Sequence, residues 1–322
     1  MYAVYDTWAQ IAKESYSSNV QPVNFRNIDH IVFCGMGGSG AIGDLFYSIL
    51  SKTNVHVSLV KGYLLPRTVD ANTLIITTSV SGNTPETLNV LQSASKLDCN
   101  VIGFSSGGIM EQFCLKHNIK FRKISKIHSP RASFIKYVYS LLHILDSVIP
   151  INALDVKESI TTLEKMSENI NSNNLTKSNR ALELSKWISG IPLIYYPWGL
   201  QAAAIRFKNS LQENAKIHAI TEDVIEACHN GIVSWESESN IQPILIQGKN
   251  DYIKTKERWL IIKDYFKQHK INYYEIESEE GNILSKVMGL VYLLDYASIY
   301  KAILTKIDPT PVDSIDYIKE RL

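Results

Sequence analysis

The chain has 322 residues, enough for about two domains at roughly 150 residues each. With 45% hydrophobic, 20% charged and 10% aromatic residues, its composition is neither disordered, collagen-like nor that of a coiled coil. Lys plus Arg number 33 against 32 Asp plus Glu, so there is no broad basic field for nucleic acid or an anionic membrane, and a charged ligand must be met locally.

In chain order, Met1-Tyr2-Ala3-Val4-Tyr5-Asp6 carries neither the basic start nor the apolar run of a secretory signal, and a cytoplasmic location is expected. Short apolar runs at 31–34, 55–60, 74–78, 101–104 and 119–124 then alternate with helical segments at 41–50, 85–97, 110–117 and 132–148. That alternation predicts strands joined by crossover helices, a first domain over 1–150. The second round starts with an amphipathic helix over 154–170 and the polar loop Asn171-Ser172-Asn173-Asn174. It continues with a helix from Arg180, a strand over 192–196, the turn Pro197-Trp198-Gly199 and helices over 200–211 and 222–227. A strand over 243–247, a helix over 252–269, a strand over 273–277 and a long helix from Asn282 complete a second domain over 151–322. The expected fold class is therefore α/β: two doubly wound α/β/α domains, each around a parallel sheet. The apolar stretches 134–149 and 283–304 are interrupted by Lys136 and His143, and by Lys286, Asp295 and Lys301, which fits buried helices better than membrane spans. Cys34, Cys99, Cys114 and Cys228 form no C-x-x-C pair and read as reduced core residues.

Chemistry concentrates in two turns. Gly35-Met36-Gly37-Gly38-Ser39-Gly40 stands between a strand and a helix, where glycine lets main-chain N–H groups approach an anion. It contains G-x-G-x-x-G, but the second strand ends Leu59-Val60-Lys61-Gly62, without the acid that would hold a dinucleotide ribose. No Gly-Lys-Ser or Gly-Lys-Thr follows either, which removes a P-loop. After the third strand comes Thr78-Ser79-Val80-Ser81-Gly82-Asn83-Thr84-Pro85-Glu86-Thr87. Pro85 suits the first helical position and Thr84 the N-cap, so Ser79, Ser81 and Thr84 are expected at one helix N-terminus, a donor set suited to a phosphate monoester. The second domain lacks such turns.

These motifs resemble the sugar isomerase (SIS) family, and Ser129-Pro130-Arg131, Gln212-Glu213-Asn214-Ala215-Lys216, Cys228-His229-Asn230 and the tail from Asp308-Pro309-Thr310-Pro311-Val312 to Lys319 resemble its archaeal-type bifunctional phosphoglucose/phosphomannose isomerases. The resemblance runs through the chain in order. It implies a flavodoxin-like SIS fold and an aldose–ketose isomerase of glycolysis and gluconeogenesis that interconverts glucose 6-phosphate, and mannose 6-phosphate, with fructose 6-phosphate through an enediol. It implies phosphate binding by Gly38, Ser39, Ser79, Ser81 and Thr84, with Gly37, Gly82 and Thr310 in the sugar pocket. It makes Glu213 the proton-shuttling base, His229 the ring opener, Arg131 the cation beside the enediolate and Lys319 a contact to the ring oxygen. An imidazole suits proton transfer in either direction near neutral pH. No metal or organic cofactor is implied, and the implied assembly is a homodimer in which His229 reaches the partner's site. Two positions depart from the family pattern: Val80 replaces a tyrosine, and Gly231 an acid. The alternatives are a non-catalytic sugar-phosphate sensor, which would not need Glu213, His229 and Lys319, or another phosphosugar or aminosugar enzyme.

Overall fold

The computed structural model describes residues 1–321; Leu322, where the expected second domain ends, lies outside the described residues. The chain folds as two compact units. The first comprises Thr7–Glu164 and Asn282–Leu284; the second comprises Met1–Asp6, Lys165–Gly281 and Ser285–Leu322. The division thus falls at 164/165, and the first six residues, including helix α1 (Tyr2–Asp6), join the second unit because Tyr5 and Asp6 bond there.

The first unit holds α2 (Trp8–Tyr16) and five parallel strands in the order β2-β1-β3-β4-β5, the flavodoxin-like arrangement. These are β1 (His30–Cys34), β2 (His56–Val60), β3 (Thr73–Ser79), β4 (Asn100–Ser105) and β5 (Lys120–Lys123). Every residue of β1 and β3 is buried, as a sheet covered by helices on both faces demands, whereas the edge strand β5 is buried at none of its positions. The crossovers are α3 (Gly37–Leu50), α4 (Pro85–Ala94) and α5 (Gly108–Lys116), followed by α6 (Phe134–Ile144) and α7 (Ala153–Ile170), whose first residues belong to this unit. Cys34 pairs with Thr77, so the carboxyl ends of β1 and β3 lie side by side. The chain runs outward from β1 to β2 and returns to β3, which makes that point the switch of the sheet.

In the second unit α8 (Arg180–Trp187) precedes four parallel strands ordered β7-β6-β8-β9: β6 (Ile191–Tyr196), β7 (Ile220–Asp223), β8 (Ile241–Gln247) and β9 (Tyr274–Glu277). Helices α9 (Gln201–Ser210), α10 (Val224–Ala227), α11 (Ile253–Gln268), α12 (Ile283–Leu304) and α13 (Asp313–Lys319) complete the order. The segment expected as a helix over 222–227 begins as strand β7, because Leu193↔Ile220 to Tyr196↔Asp223 pair in register with β6. The helix starts only where the Asp223 carboxylate accepts from Ile225 N and Glu226 N, at 2.8 and 3.1 Å. Helix α12 is long and apolar enough to cross a membrane, yet 83% of its most apolar window is buried within the protein. It is a core helix.

That helix carries the second unit's polar anchor. Asp295, with 0% exposure, accepts from Arg206 Nη2 at 2.6 Å, Arg206 Nε at 3.0 Å, Ser210 Oγ at 2.7 Å and Tyr5 OH at 3.3 Å. Asp6 accepts from Tyr296 OH and from Ser172 N and Oγ, tying α1 to the same region. A buried ion pair is weak evidence of net stability, but removing one partner strands the other. Asp295→Ala is expected to destabilise the second unit by about 3–5 kcal/mol, read as a lowered urea midpoint.

Candidate functional site

The sequence-predicted site residues divide between the two units. The first unit holds Gly37, Gly38, Ser39, Ser79, Ser81, Gly82, Thr84 and Arg131; the second holds Glu213, His229, Thr310 and Lys319.

In the first unit the turns after β1 and β3 lock together. Helix α3 begins inside the glycine motif, at Gly37 with φ +53°, so Gly38 and Ser39 lie in its first turn, where Ser39 N and Gly40 N donate to Met36 O at 3.0 and 3.1 Å. Ser39 Oγ accepts from Val80 N at 3.2 Å. A Cβ on Gly35 would stand 2.9 Å from the Thr78 carbonyl oxygen, so this contact needs glycine. Thr84 occupies the N-cap position of α4 with Pro85 at the first turn, but its hydroxyl lies 2.8 Å from Ser79 Oγ and does not cap the helix. Ser79 Oγ also accepts from Gly82 N at 3.1 Å, which closes the turn and leaves Ser81 exposed. Val80, where the family pattern has tyrosine, is 2% exposed and turns its side chain into the core.

A third turn, which sequence reasoning passed over, supports these two. Ser106-Gly107-Gly108 follows β4, whose last residue is Ser105, and both Ser106 N and Oγ donate to Val80 O, at 3.2 and 2.7 Å. Gly82, at φ +73°, presses so close to Gly107 that an added Cβ would lie 1.8 Å from the Gly107 carbonyl oxygen. Its sequence signal is the same small-residue chemistry directly after a strand. Arg131 comes from a further loop that packs on the glycine turn: a Cβ on Gly38 would be 3.1 Å from Pro130 C and 3.2 Å from Arg131 N. Ser133 Oγ donates to Ile127 O and Ser129 O at 3.0 and 2.9 Å and accepts from Ile127 N, holding this loop shut, so α6 starts at Phe134, not near 132. Arg131 is buried, unlike a surface capping arginine.

In the second unit Glu213 sits where α9 gives way to a π-helical turn, Leu211–Ala215. Such turns widen the helix by one residue and are frequent at functional sites. Its two sides are pinned: buried Asn214 donates through Nδ2 to Ser298 Oγ at 2.8 Å, and Lys216 Nζ donates to Glu213 O and to Pro311 O, both at 2.6 Å. The structure therefore brings Glu213 together with the segment that carries Thr310. In that segment Thr310 N donates to Asp308 Oδ1 at 2.8 Å; hydrogen bonds from Thr310, with the Lys216 charge adding, hold the Asp308 carboxyl below its ordinary range.

His229 is exposed in the turn after α10, where its N–H donates to Glu226 O at 2.9 Å. Lys319 is exposed in the last turn of α13, its Nζ 3.9 Å from the Asp316 carboxylate. At the second departure, Gly231, a Cβ would lie 2.3 Å from Glu222 Oε1, the end of a flexible side chain that can move aside. The Glu222 carboxylate from β7 fills that space, and burial, with Glu226 and Asp223 nearby, pushes its carboxyl up. A cleft of 610 Å³ near the ends of β8 and β9 contains none of the predicted residues, and both its cations are already engaged, Arg180 with Glu279 at 2.7 Å and Lys249 with Glu277 at 2.9 Å.

Comparison with known proteins adds the rest. Residues 24–144 match the SIS domain family, and residues 177–322 match the family described as bacterial phospho-glucose isomerase C-terminal SIS domain. The chain is 31% identical over 332 residues to the bifunctional phosphoglucose/phosphomannose isomerase of Caldicellulosiruptor bescii, covering 99% of this chain and 98% of that one. It is 26% identical over 323 residues to the D-glucosamine-6-phosphate 4-epimerase of Sulfolobus acidocaldarius, covering 100% and 97%. Among solved structures, a hypothetical protein of Thermus thermophilus shares the fold at a TM-score of 0.76 and 13% identity, over 98% of this chain and 89% of that one. With that near end-to-end similarity and two parallel sheets of the SIS type, the chain belongs to the bifunctional phosphoglucose/phosphomannose isomerase family.

Proposed function

We propose that this chain is a cytoplasmic aldose–ketose isomerase that interconverts glucose 6-phosphate and mannose 6-phosphate with fructose 6-phosphate. The observation that carries the reading is the joining of the turns after β1 and β3 through Ser39 Oγ and Val80 N. That junction brings the hydroxyl-bearing turns after β1 and β3 together at the sheet's switch, which supports a phosphate site there. Gly38, Ser39, Ser79, Ser81 and Thr84 bind the phosphate.

The remaining roles follow from what the reaction requires. His229 and Lys319 open the sugar ring, the imidazole moving a proton while the ammonium steadies the ring oxygen. Glu213 takes the proton from C2 of the open aldose, the electron pair forms the C1–C2 double bond, and the carbonyl oxygen becomes an enediolate beside Arg131. A proton passes from O2 to O1, and return of the shuttled proton to C1 as the C2 oxygen becomes the carbonyl yields the ketose. Mannose and glucose phosphates differ only at C2, so one enediol serves both. The working assembly is a homodimer.

The direct test supplies purified protein with fructose 6-phosphate in the presence of EDTA and resolves the products by chromatography. Both aldose phosphates are expected; a lack of either, or activity that appears only with added metal, overturns the reading. Glu213→Gln should lower kcat by about 100-fold or more with KM nearly unchanged, as loss of a general base does. Parallel loss of binding and turnover would make Glu213 structural. Ser81→Ala and Thr84→Ala should each weaken phosphosugar affinity by about 1.5–3 kcal/mol, roughly 10- to 150-fold, with no effect on a sugar lacking phosphate. Assembly has its own test: Glu213→Gln and His229→Asn chains, each nearly inactive alone, are refolded together. If His229 serves the partner subunit, random pairing should restore about a quarter of wild-type activity, since half the dimers then hold one intact site of two.

A further inference from the structure

Lys216 is exposed, yet its ammonium does not simply face water. It closes the π-helical turn as the C-terminal residue with φ +58°, and Nζ reaches both the Glu213 carbonyl and the Pro311 carbonyl at 2.6 Å. The backbone conformation alone carries no role, because Lys270 and Lys306 adopt positive φ after ordinary helices. What distinguishes Lys216 is the pair of main-chain oxygens that its side chain joins, one in its own turn and one 95 residues later in the chain.

On the opposite side of the same turn, Asn214 is fixed to Ser298, which in turn donates to Asp295 O at 2.6 Å. One flank of Glu213 is therefore tied to the core helix α12. The other is tied through Lys216 to a segment with two prolines, Asp308-Pro309-Thr310-Pro311. Proline supplies no N–H, so this segment cannot anchor itself by a regular ladder, and its carbonyls are the groups available for anchoring.

We propose that Lys216 is a positioning residue that clamps the main chain at Glu213 to the Thr310 segment, so that the carboxylate and this wall of the sugar pocket hold one fixed relation. The assignment rests on Glu213 being the proton-shuttling base. A lysine suits the task because its point-like ammonium has three donors and can bridge two carbonyls that do not lie in one plane. A clamp of this kind acts on turnover more than on binding, since proton transfer is sensitive to small displacements of the base while the phosphate is held by other groups.

The test compares full-length wild type with Lys216→Met, Lys216→Gly and Lys216→Arg by melting, by steady-state kinetics on fructose 6-phosphate and by amide hydrogen exchange. Lys216→Met is expected to lower kcat about tenfold or more with KM within about twofold. Lys216→Gly should lose kcat similarly while keeping or raising Tm, because glycine relieves the positive φ. Lys216→Arg should recover most of the lost turnover. In the Met and Gly variants the Thr310 and Val312 amides should exchange faster while the α12 amides do not. Wild-type kcat with unchanged exchange in Lys216→Met overturns the clamp; so does a loss of kcat that tracks Tm, or an Arg variant as impaired as Met. If wild type itself fails to isomerise fructose 6-phosphate, the isomerase reading falls, and exchange at Thr310 and Val312 still decides whether the clamp exists.

Discussion

Every paired strand in both sheets runs parallel to its neighbours, so all the turns that follow strands leave a given sheet from one edge. At that edge the last carbonyls and N–H groups must be satisfied without a hairpin partner. In the first unit the solution is mutual: the turn after β1 supplies Ser39 to Val80 N, and the turn after β4 supplies Ser106 to Val80 O. Residue 80 is thus the meeting point of three turns, and small residues surround it because anything larger would separate them. The chemistry proposed for the turns is a by-product of this packing. Main chain that approaches main chain closely leaves N–H groups at a helix start with an anion as their natural partner.

The second unit satisfies the same edge differently. Its turns carry no glycine–hydroxyl motif; after β8, Gly248 N donates to Asp251 Oδ2 at 2.9 Å and Lys249 N to Ser278 Oγ at 3.0 Å, while a buried charge pair joins helices α9 and α12. Arg206 and Ser210, which hold Asp295, lie on the helix that runs directly into the π turn bearing Glu213. The arginine of the buried ion pair thus lies on the same continuous stretch of chain as Glu213, the proposed base. A strained turn at its end is tolerable because the stretch before it is fixed.

Much of this was legible in the sequence, and the limits have physical causes. Strands buried on both faces, such as β1 and β3, announce themselves as apolar runs, and the turn motifs are local, so position and chemistry were read together. Strand β7 was not legible. It is a four-residue edge element whose identity is decided by pairing with β6, and Ile220-Thr221-Glu222-Asp223 has no periodicity of its own. The π turn that follows the helix expected over 200–211 is not legible, since nothing in Leu-Gln-Glu-Asn-Ala marks a widened turn; the marks are the distant Ser298 and Pro311. The family departure at Gly231 was visible as a residue, but only three dimensions show Glu222 standing in the vacated space.

Tyr5 and Asp6 make their buried bonds with partners 290 residues later in the chain. On a ribosome adding about 5–20 residues per second, those two residues would emerge roughly 15–60 s before Asp295 and Tyr296 exist to receive them. The first unit, nearly continuous in sequence, can form during that interval, while the second must stay open until the chain is almost finished. Its closing contact must overcome the entropy of a loop of 290 residues. The order of synthesis thereby separates the two units in time: the one with the phosphate-type turns matures first, and the one carrying Glu213 last.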